Sequence, residues 1–189
     1  MDDVLTQQDT IMRNYEWRDR NTKTMRVQKL IEICKVVKNR GGKIIDVGCG
    51  GYMPRVLKAD AAVDINDLSR TLLRRDGWQG DFYLTDGRSL PLRRKEFDLA
   101  ICSEVIEHMD SMEDVRTLLA ELRRIAHEFV VTTPAASAAG VRDPWNTEPT
   151  HRLFFTEETL LALSEAGVKK YELIKEPGQI RHILLTGSQ

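Results

Sequence analysis

The stretch CSEVIEHMD, Cys102 to Asp110, follows the apolar run FDLAI and sets Glu104, Glu107 and His108 within five residues. Carboxylates and imidazoles are donors that divalent metals accept, and they are also the side chains that most often move protons. The spacing i, i+3, i+4 would place all three on one face of a single helical turn. His151, in THRLFFT, is a candidate fourth member from farther along the chain. The residues leave three readings open. Glu104, Glu107, His108 and His151 form a metal cradle, or His108 or His151 acts as a general base, or the acids merely favour a helix N-terminus.

A second constellation begins in IIDVGCGGY, an apolar run that breaks into glycines at positions 48, 50 and 51. Glycine admits positive φ and a close approach of backbone to ligand, and a helix beyond would present free N–H groups. The dinucleotide pattern G-x-G-x-x-G needs a glycine at position 53, where this chain has Met, so that reading fails. Asp46, two residues before the first glycine, suits a cationic ligand rather than a phosphate. Two further apolar runs also end in acids. AAVDI reaches Asp64, whose carboxylate can accept from both hydroxyls of a ribose. FYLTDG reaches Asp86, placed to accept from an adenine amino group, with Gly87 leaving the backbone open to the ring edge. The reading these acids fit is an S-adenosylmethionine pocket, whose ligand carries a sulfonium cation, an amino-acid end, a ribose and an adenine.

The elements that must position these residues are legible from periodicity. Met25, Leu30, Ile31, Cys34 and Val37 recur at helical spacing across 22–38, and NRGG ends that helix. Candidate strands are KIIDVG, AAVDI (61–65), DFYLT (81–85), FDLAIC (97–102) and EFVVTT (128–133). Across 110–126, Asp110 and Glu113 have capping-box spacing, and Val115, Leu118, Leu119 and Leu122 form one face. A loop rich in Ala, Gly and Pro follows at about 134–150, then a helix over 156–166 opened by Thr156. KKYELIKEPG and IRHILLTG read as a hairpin joined at Pro177-Gly178. Alternating strands and helices predict an α/β fold with a mostly parallel sheet covered on both faces.

IIDVGCGG, VDIN, TDGRSLPL and FDLAICSEVIEHM resemble the successive motifs of class I S-adenosylmethionine-dependent methyltransferases. The resemblance runs from about residue 25 to the C-terminus, taking in HRLFFTEETLLALSEAG and the hairpin. It implies a Rossmann-like three-layer sandwich, with a seven-stranded sheet in the order 3-2-1-4-5-7-6 and an antiparallel C-terminal hairpin. It also implies that Asp46, Gly48 and Gly50 line the methionine end, that Asp64 holds the ribose and that Asp86 faces the adenine. Cys49, Ile65, Gly87 and Ser103 line the same pocket. Two departures stand out: Tyr52 replaces a third glycine, and RRIAHEF runs into the fifth strand with no KPGG turn. The EVIEH segment is similar to that of ubiquinone-biosynthesis O-methyltransferases and of small-RNA 3′-end 2′-O-methyltransferases. In the latter, E-x-x-E-H is followed by TTP and H-x-x-x-x-T, matched here by Thr132-Thr133-Pro134, His151 and Thr156. That likeness implies a divalent ion such as Mg, Mn or Zn.

Bulk properties narrow the partners. With 189 residues, the chain is expected to be one domain, a helical cap over 1–40 and a core over 41–189. Its formal net charge of −1 gives no global field toward RNA or an anionic membrane. Arg13, Arg18, Arg20, Lys23, Arg26 and Lys29 form a local basic stretch, opposed by Glu16 and Asp19. A small-molecule acceptor, most simply a hydroxyl, is favoured over RNA, and a catalytically silent cofactor-binding subunit is the reading from another class. Tyr15, Trp17, Trp145 and Asn146 are candidate covers for the acceptor. Cys34, Cys49 and Cys102 lack metal spacing, and with an acidic, polar N-terminus they point to reduced thiols in a cytoplasmic protein. No run approaches the roughly 18 apolar residues of a membrane span.

Overall fold

The computed structural model describes residues 20–136, 150–156, 159, 162–175 and 181–188. Its strands are β1 (Ile44–Val47), β2 (Ala61–Asp64), β3 (Asp81–Leu84), β4 (Phe97–Ser103), β5 (Ala126–Pro134), β6 (Val168–Lys175) and β7 (Arg181–Ser188). They form one sheet in the order β3-β2-β1-β4-β5-β7-β6. The first five strands are mutually parallel, while β7 runs antiparallel to both β5 and β6. Because β1 to β5 are parallel, their C-terminal ends share one edge, and the acids that close β1 and β2 meet the EVIEH segment there.

The helices are α1 (Met25–Asn39), α2 (Met53–Leu57), α3 (Asp67–Arg75) and α4 (Met112–Ile125). On one face, Val115, Leu118, Leu119, Leu122 and Ile125 of α4 pack on Ile45, Ala100, Cys102 and Val131. On the other, Val27, Leu30, Cys34 and Val37 of α1 pack on Ile44, Leu99, Ile101, Val130 and Leu184. Successive strand residues thus feed opposite faces, as the pleat requires. The five α4 side chains are fully buried, which contributes roughly 10 kcal/mol of gross apolar stabilisation and makes the nearby strand ends a firm platform.

The predicted elements differ from the observed ones at two places. Helix α4 is capped by Ser111, whose hydroxyl accepts from the Asp114 N–H at 3.2 Å, instead of by an Asp110–Glu113 box. Asp110 is drawn away by an ion pair with Arg152. Strand β5 begins at Ala126 directly after α4, so RRIAHEF needs no turn. Over 156–166 the described residues agree with a helix opened by Thr156, whose hydroxyl accepts from the N–H of helical Thr159 at 3.3 Å, and Ser164–Ala166 forms a short 3-10 turn. The remainder of that helix, the Pro177-Gly178 turn, Tyr15, Trp17, Trp145 and Asn146 lie outside the described residues. All three cysteines are free and buried.

Candidate active site

Gly48, Gly50 and Gly51 all adopt positive φ, at 77°, 57° and 78°, and turn the chain from β1 into α2. At Gly48 the absent side chain also matters sterically, since a Cβ would lie 2.3 Å from Val105 Cγ2. The turn is held against β2 by Asp64, whose Oδ2 accepts from the Gly50 N–H at 3.0 Å and the Ser69 hydroxyl at 2.9 Å. Its Oδ1 accepts from the Asn66 N–H at 2.9 Å. Cys49 is buried with Sγ 3.7 Å from the same carboxylate. Ile65, the next residue, is 77% exposed and offers an apolar surface beside this acid.

Asp46 is 1% exposed, and its Oδ2 is buried with no hydrogen-bond partner. Burial, then repulsion from Asp64, pushes its carboxyl up to about 8, against a smaller opposing pull from Arg26. A buried acid with an orphaned oxygen at the glycine turn could hold a cation, which would favour its ionised form.

Asp86 behaves differently. Arg88 grips both of its oxygens, with Nε at 3.0 and 3.1 Å and Nη2 at 2.6 Å, and Arg88 also bonds Asp114 at the start of α4. The guanidinium hydrogen bonds hold the Asp86 carboxyl below its ordinary value. The acid expected to face adenine is therefore ionised and ion-paired. Gly87 also has another role than leaving a ring edge open. A Cβ there would lie 2.9 Å from both Leu118 and Val47, so the glycine lets this loop pack on the core.

The EVIEH segment does not form one helical face. Glu104 sits at φ 58°, and only Ile106–His108 makes a 3-10 turn. The left-handed residue divides the two glutamates between opposite faces of the sheet. Glu104 Oε2 lies 3.2 Å from His182 Nε2, and Oε1 accepts from the Thr132 hydroxyl at 3.1 Å, with Arg26 Nε at 3.9 Å. Although burial opposes it, Arg26 and then His182 hold the Glu104 carboxyl below its ordinary value. Glu107 is 1% exposed, and its Oε2 accepts from the Thr133 hydroxyl at 3.0 Å. Burial, reinforced by Glu104, raises its carboxyl well above the usual range, and Oε1 is buried without a partner.

Glu107, His108 and His151 come together, each offering a ligand atom within 4.8 Å of the others. His151 reaches this point because the Glu107 carbonyl accepts from the Arg152 and Leu153 N–H groups, at 2.7 and 3.0 Å. The two imidazoles meet edge-on, with centroids 4.7 Å apart. His108 Nδ1 lies 3.1 Å from the Thr150 hydroxyl. Glu104 is absent from this group, so the expected four-residue set is a three-residue set.

Residues 45–128, from β1 into β5, match the model of a methyltransferase domain. Over that segment the chain is similar to a methyltransferase domain, and its sheet order is that of the class I S-adenosylmethionine-dependent methyltransferase fold. No curated protein sequence matches it. Three solved structures illustrate the shared fold. The 1,6-didemethyltoxoflavin N1-methyltransferase of Burkholderia thailandensis, solved with its substrate and S-adenosylhomocysteine, is 18% identical over 98% of this chain and 88% of its own, with a TM-score of 0.68. The YcgJ protein of Bacillus subtilis is 15% identical over 86% and 98%, with a TM-score of 0.66. The methyltransferase domain of bacterial CtHen1-CN is 18% identical over 86% and 98%, with a TM-score of 0.63.

In this chain, several residues of the strand-end network lie outside the sequence motifs. Arg26 is 4% exposed and bonds the Ser103 hydroxyl and Asn21 Oδ1. Asn21 in turn bonds the hydroxyl of Tyr52, the residue that replaces a third glycine. Ser103, expected at the cofactor, also exchanges a 2.8 Å hydrogen bond with Thr132. A signal for Arg26 was present in the sequence: it occupies the first position of the buried stripe 26, 30, 34, 37 of α1. His182 had no such signal, because its partner Glu104 is distant in sequence.

Proposed function

We propose that this methyltransferase acts on a hydroxyl of a small molecule. Support for the donor comes from the orphaned, neutralised Asp46 beside Asp64, one acid suited to an ammonium and the other to a ribose diol. S-adenosylmethionine supplies an electrophilic methyl on a sulfonium, so the protein's task is alignment and removal of the acceptor's proton. The Glu107–His108–His151 cluster, beside the end of β4, is the group suited to that proton. Surface charge favours a small acceptor, because basic side chains are matched by acids: Lys29 with Glu172, Lys38 with Asp60, Arg70 with Asp67. Phosphate contacts need basic groups that are not already neutralised.

A metal-assisted 2′-O-methyltransferase acting on RNA is the second reading. It is supported by the two imidazoles and buried Glu107 oxygen, a donor set that fits Mg, Mn or Zn, and by the resemblance of E-x-x-E-H, TTP and H-x-x-x-x-T to the small-RNA 2′-O-methyltransferases. Bound there, such an ion would lower the pKa of an acceptor hydroxyl. Glu107, His108 and His151 would hold it, with Glu104 kept apart by His182.

The deciding experiment is calorimetric titration of S-adenosylmethionine and S-adenosylhomocysteine into wild type and Asp64→Ala. It is followed by methyl-transfer assays on hydroxylated metabolites and on short RNAs, with and without Mn²⁺. Micromolar binding lost in the variant is the expected result. Binding of neither ligand would leave a methyltransferase-like fold serving as a silent partner subunit. Transfer to RNA that depends on Mn²⁺ and on Glu107 would replace the small-molecule reading with the second one.

A further inference from the structure

Glu104 occupies a backbone conformation that its residue type disfavours. A left-handed φ of 58° crowds Cβ against the backbone, and a residue other than glycine stays there only where its surroundings over-determine it. Three contacts do so. The Glu104 N–H donates to the Thr132 carbonyl at 2.9 Å, the Thr132 hydroxyl donates to Oε1 at 3.1 Å, and His182 Nε2 lies 3.2 Å from Oε2. The two Thr132 contacts follow from the pairing of β4 with β5. His182 comes instead from the last hairpin, where β7 sets it opposite Pro134 at the edge on which β4 ends. It is 8% exposed and its Nδ1 is buried without a hydrogen-bond partner, so among the described residues Glu104 is what offsets the burial of this ring.

Glu104 is also the member of the E-x-x-E-H run that the cluster of Glu107, His108 and His151 lacks. In a helical backbone its side chain would share their face, whereas in the left-handed one it faces Arg26 and His182. We propose that His182 is a positioning residue that withholds Glu104 from this cluster, so that the site takes a divalent ion on Glu107, His108 and His151 alone. Two imidazoles and one carboxylate with open positions beside them suit Mn²⁺ or Zn²⁺, while Mg²⁺ prefers an octahedron of oxygens to which the withheld carboxylate would have contributed. The inference rests on the metal-assisted reading above and is independent of the donor reading.

The test is calorimetric titration of Mn²⁺ into the full chain as wild type, Glu104→Gln, Glu107→Gln, His182→Gln and His182→Leu. Partners in the outer shell of a metal site are already worth roughly 10- to 100-fold in affinity, so a direct ligand is worth at least about tenfold. Wild type is expected to bind the ion, to lose at least about tenfold in Glu107→Gln and to be unaffected by Glu104→Gln. His182→Gln keeps an N–H for Glu104 and should match wild type. His182→Leu frees the carboxylate, and its affinity should rise about tenfold, a gain that adding Glu104→Gln cancels. That newly acquired dependence on Glu104 is a readout that a merely structural role of His182 would not move. Should His182→Leu fail to fold, wild type and Glu104→Gln decide alone. A wild-type affinity that falls in Glu104→Gln, or a His182→Leu affinity that fails to rise or rises without depending on Glu104, overturns the role of His182 and leaves the metal reading intact. Absence of Mn²⁺ binding by wild type overturns both.

Discussion

Asp46→Asn separates stability from donor binding. The folded protein raises this carboxyl from 3.8 to about 8. Between those values the folded state holds a proton that the unfolded state has released, so the wild type loses stability as pH rises. The loss begins above the unfolded pKa and levels off only above the folded one. Each pH unit inside the window is worth about 1.4 kcal/mol, so between about pH 5 and 7 this group removes roughly 3 kcal/mol. Asparagine does not titrate and occupies nearly the same volume. Without ligand, Asp46→Asn is therefore expected to be more stable than wild type at neutral pH, with an advantage that grows by about 1 kcal/mol or more per pH unit. Other titrating groups are common to both proteins and cancel in the difference. Urea unfolding of both proteins at several pH values measures it. S-adenosylhomocysteine should narrow the gap, because removing one partner of a buried charged contact costs 2 kcal/mol or more, at least about thirtyfold in Kd. A stability difference that does not change with pH, or an asparagine variant less stable throughout, would refute the assignment of Asp46 as a buried neutral acid awaiting a cation.

Other consequences can be checked in the same way. Gly48→Ala combines a φ of 77° with a Cβ 2.3 Å from Val105, and should lose about 2–4 kcal/mol, whereas Gly50→Ala meets open space and should lose only about 1 kcal/mol in thermal melts. Glu104→Ala removes the carboxylate that faces Arg26 and His182 and should destabilise by about 1–3 kcal/mol after allowing for partial exposure. Because the Glu104 carboxyl is held low, that deficit is fully present above its ordinary pKa of 4.5 and shrinks as pH falls through the lowered value. Glu107→Gln keeps an acceptor for Thr133 and removes an acid whose charge is disfavoured, so its stability at neutral pH should equal or exceed wild type. A marked loss there would indicate that Glu107 is ionised and paired in the folded protein.

How far the sequence carries the argument differs from residue to residue. Asp46 and Asp64 stand at the ends of apolar runs, and parallel strands deliver such ends to one edge, so their meeting could be read from periodicity alone. The glycine turn was equally legible, since only special backbone torsions explain three glycines in four residues. The same reasoning misplaced Glu104, because i, i+3, i+4 spacing brings side chains together only if the backbone is helical throughout.

The amino-acid sequence by itself determined the alternation of strands and helices, the acids at the sheet's edge and the glycine turn, because each follows from short-range periodicity, while the order of the strands came from the family resemblance. Tertiary structure decided which partner each acid received. One left-handed residue, Glu104, sends neighbouring glutamates to opposite faces, and Thr132 and Thr133, alternating across β5, meet one each. Arg26, Arg88 and His182 then set which carboxyls are charged. Those pairings join groups from separate elements, and their strength depends on burial, which is a property of the packed molecule rather than of any local stretch of chain.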